Sequence, residues 1–348
     1  MSAITFAETL AALESGTAPR DLVRRAFDAI LAGAWTPVQV GAFAVALRVR
    51  GEQAEAIVAG AEALREAMTA VDHGLEQVLD TCGTGGDGAR TLNLSTAAAI
   101  VVAGAGIAVA KHGNRSVSSQ CGSADVVEAL GIPIDLTPTD HAAMLRDARI
   151  TFLFAPAHHP ALAHAAQARR ELGVRTIFNA LGPLANPARA THQLVGVYDD
   201  ALRPVAARAL LALGIVRAWV VRSDDGLDEV SPCASTTRVS EVSGGEIRER
   251  TIEPRDFGIA AVERAALAGG DACANAEAIV RILEGEAHPA RDAVLVNAAA
   301  AIAVSDATIT LSASGERARD AVTSGRAREA LEAWRRLATK ASAAKERT

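Results

Sequence analysis

Three stretches of this chain carry residue types and spacings suited to holding a polyanion. The first is Cys82-Gly83-Thr84-Gly85-Gly86-Asp87-Gly88, which follows the apolar run 78–81 and precedes a helical stretch from about Ser95. A strand, a glycine loop and a helix start together make an anion site: glycines let the backbone approach, and free N–H groups point at the ligand. A tight strand-to-helix turn would use the same glycines without a ligand. Gly83, Gly85 and Gly88 satisfy the dinucleotide spacing, but that motif needs an acidic residue about 20 residues on to take ribose hydroxyls. The next apolar run, 107–110, ends instead in Lys111-His112. A cation there suits a phosphate, so the dinucleotide reading fails its own requirement. No Gly-Lys-Ser/Thr follows the glycines, which removes the nucleotide P-loop as well.

The second stretch is Lys111-His112-Gly113-Asn114-Arg115-Ser116-Val117-Ser118-Ser119, with two cations, an amide and three hydroxyls in nine residues. Placed after a strand, it makes a second anion cradle. The third is Arg222-Ser223-Asp224-Asp225-Gly226-Leu227-Asp228-Glu229, after the run 219–221. Alone, an acidic loop reads as solvated surface. Opposite two phosphate cradles it reads as a Mg²⁺ site, because Mg²⁺ takes one or two carboxylates and fills its shell with water and substrate phosphate oxygens. Arg169 stands apart from these loops. Leu162, Ala165, Ala166 and Leu172 form one helical stripe and Arg169 falls on it, while Arg170 points elsewhere. An inward Arg needs a partner, either an internal carboxylate or a substrate carboxylate gripped bidentately.

Positioning these loops requires a particular frame. At roughly 150 residues per domain, 348 residues suggest about two domains, and 50% hydrophobic content allows a large core. Residues up to about 75 read as helices. Leu22, Ala26 and Ile30 recur at helical spacing before Gly33; Thr36-Pro37 opens a second helix with Val40, Phe43 and Leu47 inward; Ile57, Ala61, Leu64 and Met68 mark a third stripe. From about residue 76, short apolar runs (78–81, 107–110, 151–154, 193–197, 219–221) alternate with helical stretches (95–103, 124–130, 203–213). That alternation predicts an α/β fold, a mostly parallel central sheet flanked by helices, beside a small helical domain. Residues 160–172 and 182–187 break the rhythm with helix and loop, and the Lys/Ala-rich end after Thr339 reads as a low-complexity tail.

Composition removes several classes. With 35 basic and 41 acidic residues the net charge is −6, against the basic surface that a nucleic-acid-binding protein needs. Aromatics at 3% leave little for base-stacking platforms. Cys82, Cys121, Cys233 and Cys273 lie far apart with no Cys-x-x-Cys pair, so reduced thiols in a cytoplasmic protein are expected rather than zinc or disulfides. Glu8 and Glu14 interrupt the N-terminal stretch, and the apolar stretches 97–110 and 298–304 are short for a membrane span, so neither signal peptide nor membrane segment is expected.

Taken together, the three loops resemble the anthranilate phosphoribosyltransferases, the tryptophan-pathway branch of the family that also contains the pyrimidine nucleoside phosphorylases. Further stretches share the likeness: Asn93-Leu94-Ser95-Thr96, Gly122-Ser123-Ala124-Asp125, His158-His159-Pro160, Leu172-Gly173-Val174-Arg175-Thr176-Ile177-Phe178-Asn179, Leu181-Gly182-Pro183-Leu184 and Asn186-Pro187. It runs from about Thr36 to Leu331, with departures at Gln53 and Ala185, where Thr is common. The resemblance implies the nucleoside phosphorylase/phosphoribosyltransferase fold. Its helical domain would span 1–75, joined by about 158–188, with an α/β domain over 76–157 and 189–340 and a tail at 341–348. It also implies a homodimer built through the helical parts.

By the same resemblance the chain would transfer the phosphoribosyl group from 5-phosphoribosyl 1-pyrophosphate to anthranilate. The products would be N-(5-phosphoribosyl)anthranilate and pyrophosphate, the second step from chorismate to tryptophan. Gly83, Gly86, Asp87, Thr91, Asn93, Leu94, Ser95 and Thr96 would hold the pyrophosphate end. Lys111, His112, Gly113, Asn114, Arg115, Ser116, Val117, Ser118, Ser119 and Ser123 would complete the phosphoribosyl site. Gly83, Asn114 and Arg169 would contact anthranilate, with His112 and the Gly182-Pro183 turn beside them. Ser95, Asp228 and Glu229 would bind Mg²⁺, two ions in all. No covalent nucleophile or obligatory base is expected, since the aromatic amine is neutral at pH 7; Cys82 reads as packing. A pyrimidine nucleoside phosphorylase on the same fold is the nearest alternative, opposed by Asp228-Glu229 and Arg169. A silent nucleic-acid-binding homologue is the other, opposed by the net charge.

Overall fold

Thr36 and Pro37 show how local sequence starts the helical part. The Thr36 hydroxyl accepts the Gln39 N–H, Gln39 accepts the Thr36 N–H in return, and Pro37 takes the first turn, where a missing donor costs nothing. Four helices form this part: α1 (Phe6–Glu14), α2 (Arg20–Leu31), α3 (Pro37–Val49) and α4 (Ala54–Ala67). Ala26, Ile30, Val40, Phe43, Leu47, Ile57, Ala61 and Leu64 are all buried, as their spacing predicts. At Gly60 an added Cβ would lie 2.8 Å from Phe27 Cζ, so α4 needs a glycine to seat against α2. The computed structural model describes every residue except 1–3, 17, 86–87, 116–120, 234, 346 and 348.

The chain then alternates: β1 (Leu79–Gly83), α5 (Leu94–Gly104), β2 (Val109–Gly113), α6 (Ser123–Ala129), α7 (Pro138–Asp147) and β3 (Ile150–Phe154). Three short helices follow, α8 (Ala155–His158), α9 (Ala163–Leu172) and α10 (Ile177–Leu181). They return to the helical part: Phe178 meets Phe27 edge-on at 5.9 Å, and Ala165, Ala168 and Leu181 share a core with α2, α3 and α4. The sheet resumes with β4 (His192–Gly196), α11 (Leu202–Ala212) and β5 (Arg217–Ser223).

Seven strands stand in the order β3-β2-β1-β4-β5-β6-β7. The first five are parallel, while β6 (Thr237–Ser243) and β7 (Glu246–Ile252) add an antiparallel hairpin at one edge. The sequence reading leaves this hairpin out. Its outer strand carries charged residues, Glu246, Arg248, Glu249 and Arg250, in place of an apolar run, which suits a sheet edge that must not pair further. Helices α12 (Ala272–Leu283), α13 (Arg291–Ser305), α14 (Leu311–Thr323) and α15 (Arg326–Lys345) close the other face. The apolar stretch 97–110 covers most of α5, the turn after it and the start of β2, and 298–304 lies within α13; 97–103 and 298–304 are buried. No helix among the described residues is long and apolar enough to cross a membrane. Helix α15 also continues past residue 341, where the sequence suggests a tail; Lys345 anchors it on Asp135 at 2.7 Å.

Candidate active site

Strands β1 and β4 are neighbours although the chain visits β2 and β3 between them, so the connections depart in opposite directions at that point. In open α/β sheets ligands bind outside the carboxyl ends of the strands at such a place. Gly83 and Gly196 face each other in register there. A Cβ on Gly196 would collide with the Asp228 carbonyl oxygen, and one on Gly83 would come within 3.0 Å of Asp228 Oδ2. These two glycines let the acidic loop fold down onto the glycine loop. Gly85, at φ +67°, donates its N–H to Asp228 Oδ2 at 3.1 Å. Thr84 ties the same loop to β4, its N–H donating to Gly196 O at 2.9 Å and its hydroxyl accepting the Tyr198 N–H at 3.0 Å.

Lys111 closes the site from below. It is 2% exposed, and its ammonium donates to Thr81 O at 2.6 Å and to Ser95 Oγ at 3.1 Å. Desolvation lowers its pKa; the charges of Asp80, Glu229 and Asp228 oppose that shift. Gly83, Ser95, Lys111, Asp228 and Glu229, spread over the sequence, therefore converge on one spot. The start of α5 adds Thr96, whose buried hydroxyl has no hydrogen-bond partner among the described residues, and Thr91, which bridges to Ala268. Asn93 binds Asn275 at 3.0 Å and the Cys121 region, so its amide also braces the loop. Leu94 is fully buried in the core, leaving only its backbone for a ligand.

In the second loop Gly113 packs on Ser123, whose hydroxyl donates to Asn114 O at 3.2 Å. Arg115 turns to Asp125 at 2.9 Å and Glu128 at 2.6 Å, an exposed arrangement that stands apart from Lys111. Gly86, Asp87, Ser116, Val117, Ser118 and Ser119, all expected to contact substrate, lie outside the described residues.

On the helical side, Arg169 lies over the Phe178 ring at 5.8 Å, and burial alone lowers its pKa. The residues beside it differ from the expected stripe: Ala165 and Ala168 are buried whereas Ala166 is exposed, because α9 turns its 165–168–172 line toward α3. Past Phe178 the chain reaches Gly182, whose carbonyl lies 3.1 Å from His112 Nδ1. His112 meets His159 at 5.1 Å with the rings tilted by 53°, while His141 meets His158 at 5.2 Å and 51°. Desolvation pushes His112 down to about 3 and His159 to about 4. Both are neutral at pH 7, which suits lining and hydrogen bonding more than proton uptake. Burial raises the Cys82 thiol well above its ordinary range, in line with packing.

Sequence reasoning missed Asp80 and the His112–His159 contact, and it quoted Asn186 only within the Asn186-Pro187 motif, with no role. A lone carboxylate inside the apolar run 78–81 was the available signal for Asp80; the other two depend on long-range approach. As a metal site, Ser95, Asp228 and Glu229 supply oxygen donors only, which suits a hard cation such as Mg²⁺. No group of three or more His, Cys, Asp or Glu forms a metal cluster among the described residues. A set so sparse fits an ion that completes its shell with substrate and water.

Two family models match: the glycosyl transferase family helical bundle domain over residues 12–68 and the same family's a/b domain over 75–328. Anthranilate phosphoribosyltransferase from Myxococcus xanthus is 49% identical over 319 residues, covering 90% of this chain and 94% of that protein. The chain belongs to the anthranilate phosphoribosyltransferase family. The Thermomicrobium roseum member is 50% identical over 315 residues, covering 90% of each chain. Among solved structures, the family member from Thermus thermophilus superposes with a TM-score of 0.87 at 39% identity, covering 92% of this chain and 95% of its own. The Saccharomyces cerevisiae member, solved with PRPP and Mg, gives 0.89 at 28% identity, covering 97% of this chain and 99% of its own.

The buried histidines set a pH dependence for this family member. An unfolded imidazole titrates near 6.5, so as pH falls the unfolded state takes up protons before His112 and His159 can. Stability is therefore fully present above about pH 6.5 and declines as pH drops toward about 4. Urea unfolding between pH 7 and 4.5 should show that decline, and His159→Phe should remove about one proton from its slope. An unchanged slope would show that His159 does not titrate differently in the two states.

Proposed function

We infer that this chain moves the 5-phosphoribosyl group from 5-phosphoribosyl 1-pyrophosphate to the amine of anthranilate, releasing pyrophosphate, in the second step from chorismate to tryptophan. The observation that carries this is the convergence of Lys111, Ser95 and Asp228 on the glycine loop where strand order reverses. As the bond to pyrophosphate lengthens, the ribosyl carbon gains oxocarbenium character and the leaving group gains charge. Lys111 and the N–H groups of the glycine loop and of the start of α5 meet that charge. Ser95, Asp228 and Glu229 would hold Mg²⁺, which when bound neutralises pyrophosphate and orients it. Two ions fit the division of these donors between α5 and the loop after β5.

Anthranilate's amine is neutral and nucleophilic, so the protein has only to place it. Arg169 would grip the carboxylate, with Gly83 and Asn114 completing the acceptor site, and the neutral His112 and the Gly182 turn would line the approach. Thr91, Asn93, the Leu94 backbone, Thr96, Gly113, Arg115 and Ser123 frame the donor side. Residues 1–75 and 158–188 act in this reading as one unit that carries the acceptor, and the rest of the sheet carries the donor. A cytoplasmic location belongs to the same reading.

The exposed face of α3 supports a homodimer. Val38 and Val49 are each 81% exposed and, with Val45, lie on one side of the helix. Val38→Lys with Val49→Lys should give monomers by sedimentation velocity; dimers that persist would place the contact elsewhere.

Chelating Mg²⁺ should abolish turnover, followed as the loss of anthranilate fluorescence. Asp228→Asn should raise the Mg²⁺ concentration needed for half-maximal rate, and wild-type rates at limiting Mg²⁺ would remove Asp228 from the metal site. Arg169→Ala should raise KM for anthranilate about ten- to a hundredfold, from the roughly 1.5–3 kcal/mol of a charge-assisted hydrogen bond. A lowered melting temperature with a normal KM would make Arg169 a core residue instead.

A further inference from the structure

Strands β1 and β2 are in register at one pair only, Leu79 opposite Val109. On their other sides β1 with β4, and β2 with β3, run in register through five consecutive pairs. Beyond Leu79 and Val109, side chains replace the missing ladder. Asp80, fully buried, accepts the His112 backbone N–H on Oδ1 at 3.1 Å and the Asn186 amide on Oδ2 at 2.8 Å. Asn186 also donates to Ala110 O at 2.8 Å, and its own oxygen accepts the Ala188 N–H at 2.8 Å. Lys111 takes the Thr81 carbonyl. Polar side chains thus take over the hydrogen bonding between the two strands at the point where they feed the two anion loops.

A carboxylate is the group this position requires. The groups that bond the two Asp80 oxygens, the His112 N–H, the Asn186 Nδ2 and the Cys82 thiol, all donate, so the side chain must accept at both ends. An amide of the same shape would set donor against donor in either of its two orientations. Burial raises the Asp80 pKa, and the Asn186 bond and the Lys111 charge oppose that rise.

We propose that Asp80, with Asn186 as its partner, is a positioning residue for the phosphoribosyl donor: the pair ties β2 to β1 and so aims Lys111 and the 113–115 loop. This rests on the donor reading of that site. The pair also spans the seam, since Asn186 follows the Gly182 turn on which His112 leans.

The test uses Asp80→Asn in the full-length protein. Its KM for 5-phosphoribosyl 1-pyrophosphate should rise at least tenfold, and by clearly more than KM for anthranilate, whose site takes only His112 and Asn114 from the same strand end. Backbone hydrogen exchange at His112 should quicken at least tenfold. Should Asp80→Asn fail to fold, Asn186→Ala leaves the carboxylate in place and should move the same two readouts in the same direction. A donor KM unchanged in the folded fraction, equal rises in both KM values, or unaltered exchange at His112 would each overturn the proposal. The exchange measurement needs no substrate: if the wild type fails to use the donor, the functional reading falls and His112 exchange still decides whether Asp80 holds that strand end.

Discussion

A buried ammonium governs the architecture of the site. Lys111 lies in the middle of β2, inside the sheet layer, and an unpaired charge there would cost several kcal/mol. The protein answers with a carbonyl from β1, a hydroxyl from the first turn of α5, and carboxylates from β1 and the loop after β5 in its electrostatic surroundings. These partners come from three separate elements, β1, α5 and the loop after β5. The strand order, the glycines that let Asp228 approach and the polar bonding between β1 and β2 all serve to bring them to one place. The same crowding readies the site for a polyanion, because a cation already desolvated binds an incoming phosphate without first shedding water.

The site is divided between two units with different tasks. The sheet contributes backbone N–H groups, Lys111 and oxygen donors, all suited to a diphosphate. In the proposed reading the helical side would contribute Arg169, held over an aromatic ring and lowered in pKa by desolvation alone, which is a suitable state for a guanidinium that awaits a carboxylate. Between them lies a layer of neutral imidazoles around His112 and Gly182. Neutral rings can adjust to a bound aromatic acceptor without placing a second positive charge beside Lys111, and burial is what keeps them neutral.

Much of this was legible from residue order. The strand-loop-helix punctuation at Gly83, the cation in place of an acid at Lys111 and the stripe that turns Arg169 inward are local signals, and local signals survive in a sequence. Where the reading strayed, a long-range cause can be named. The β6–β7 hairpin carries edge-strand charges instead of an apolar run. Ala166 left the expected stripe because α9 meets α3 along a neighbouring line.

Sequence by itself determined the elements and their chemistry, since helix caps, apolar periodicity and glycine loops act within a few residues of themselves. Tertiary structure alone decided the partners. Asp80 and Asn186 are 106 positions apart and Gly85 and Asp228 are 143 apart, yet each pair is a single hydrogen bond. The physical reason is burial: a polar group removed from water must find whichever complementary group the packed sheet brings to it, and sequence distance places no limit on that choice.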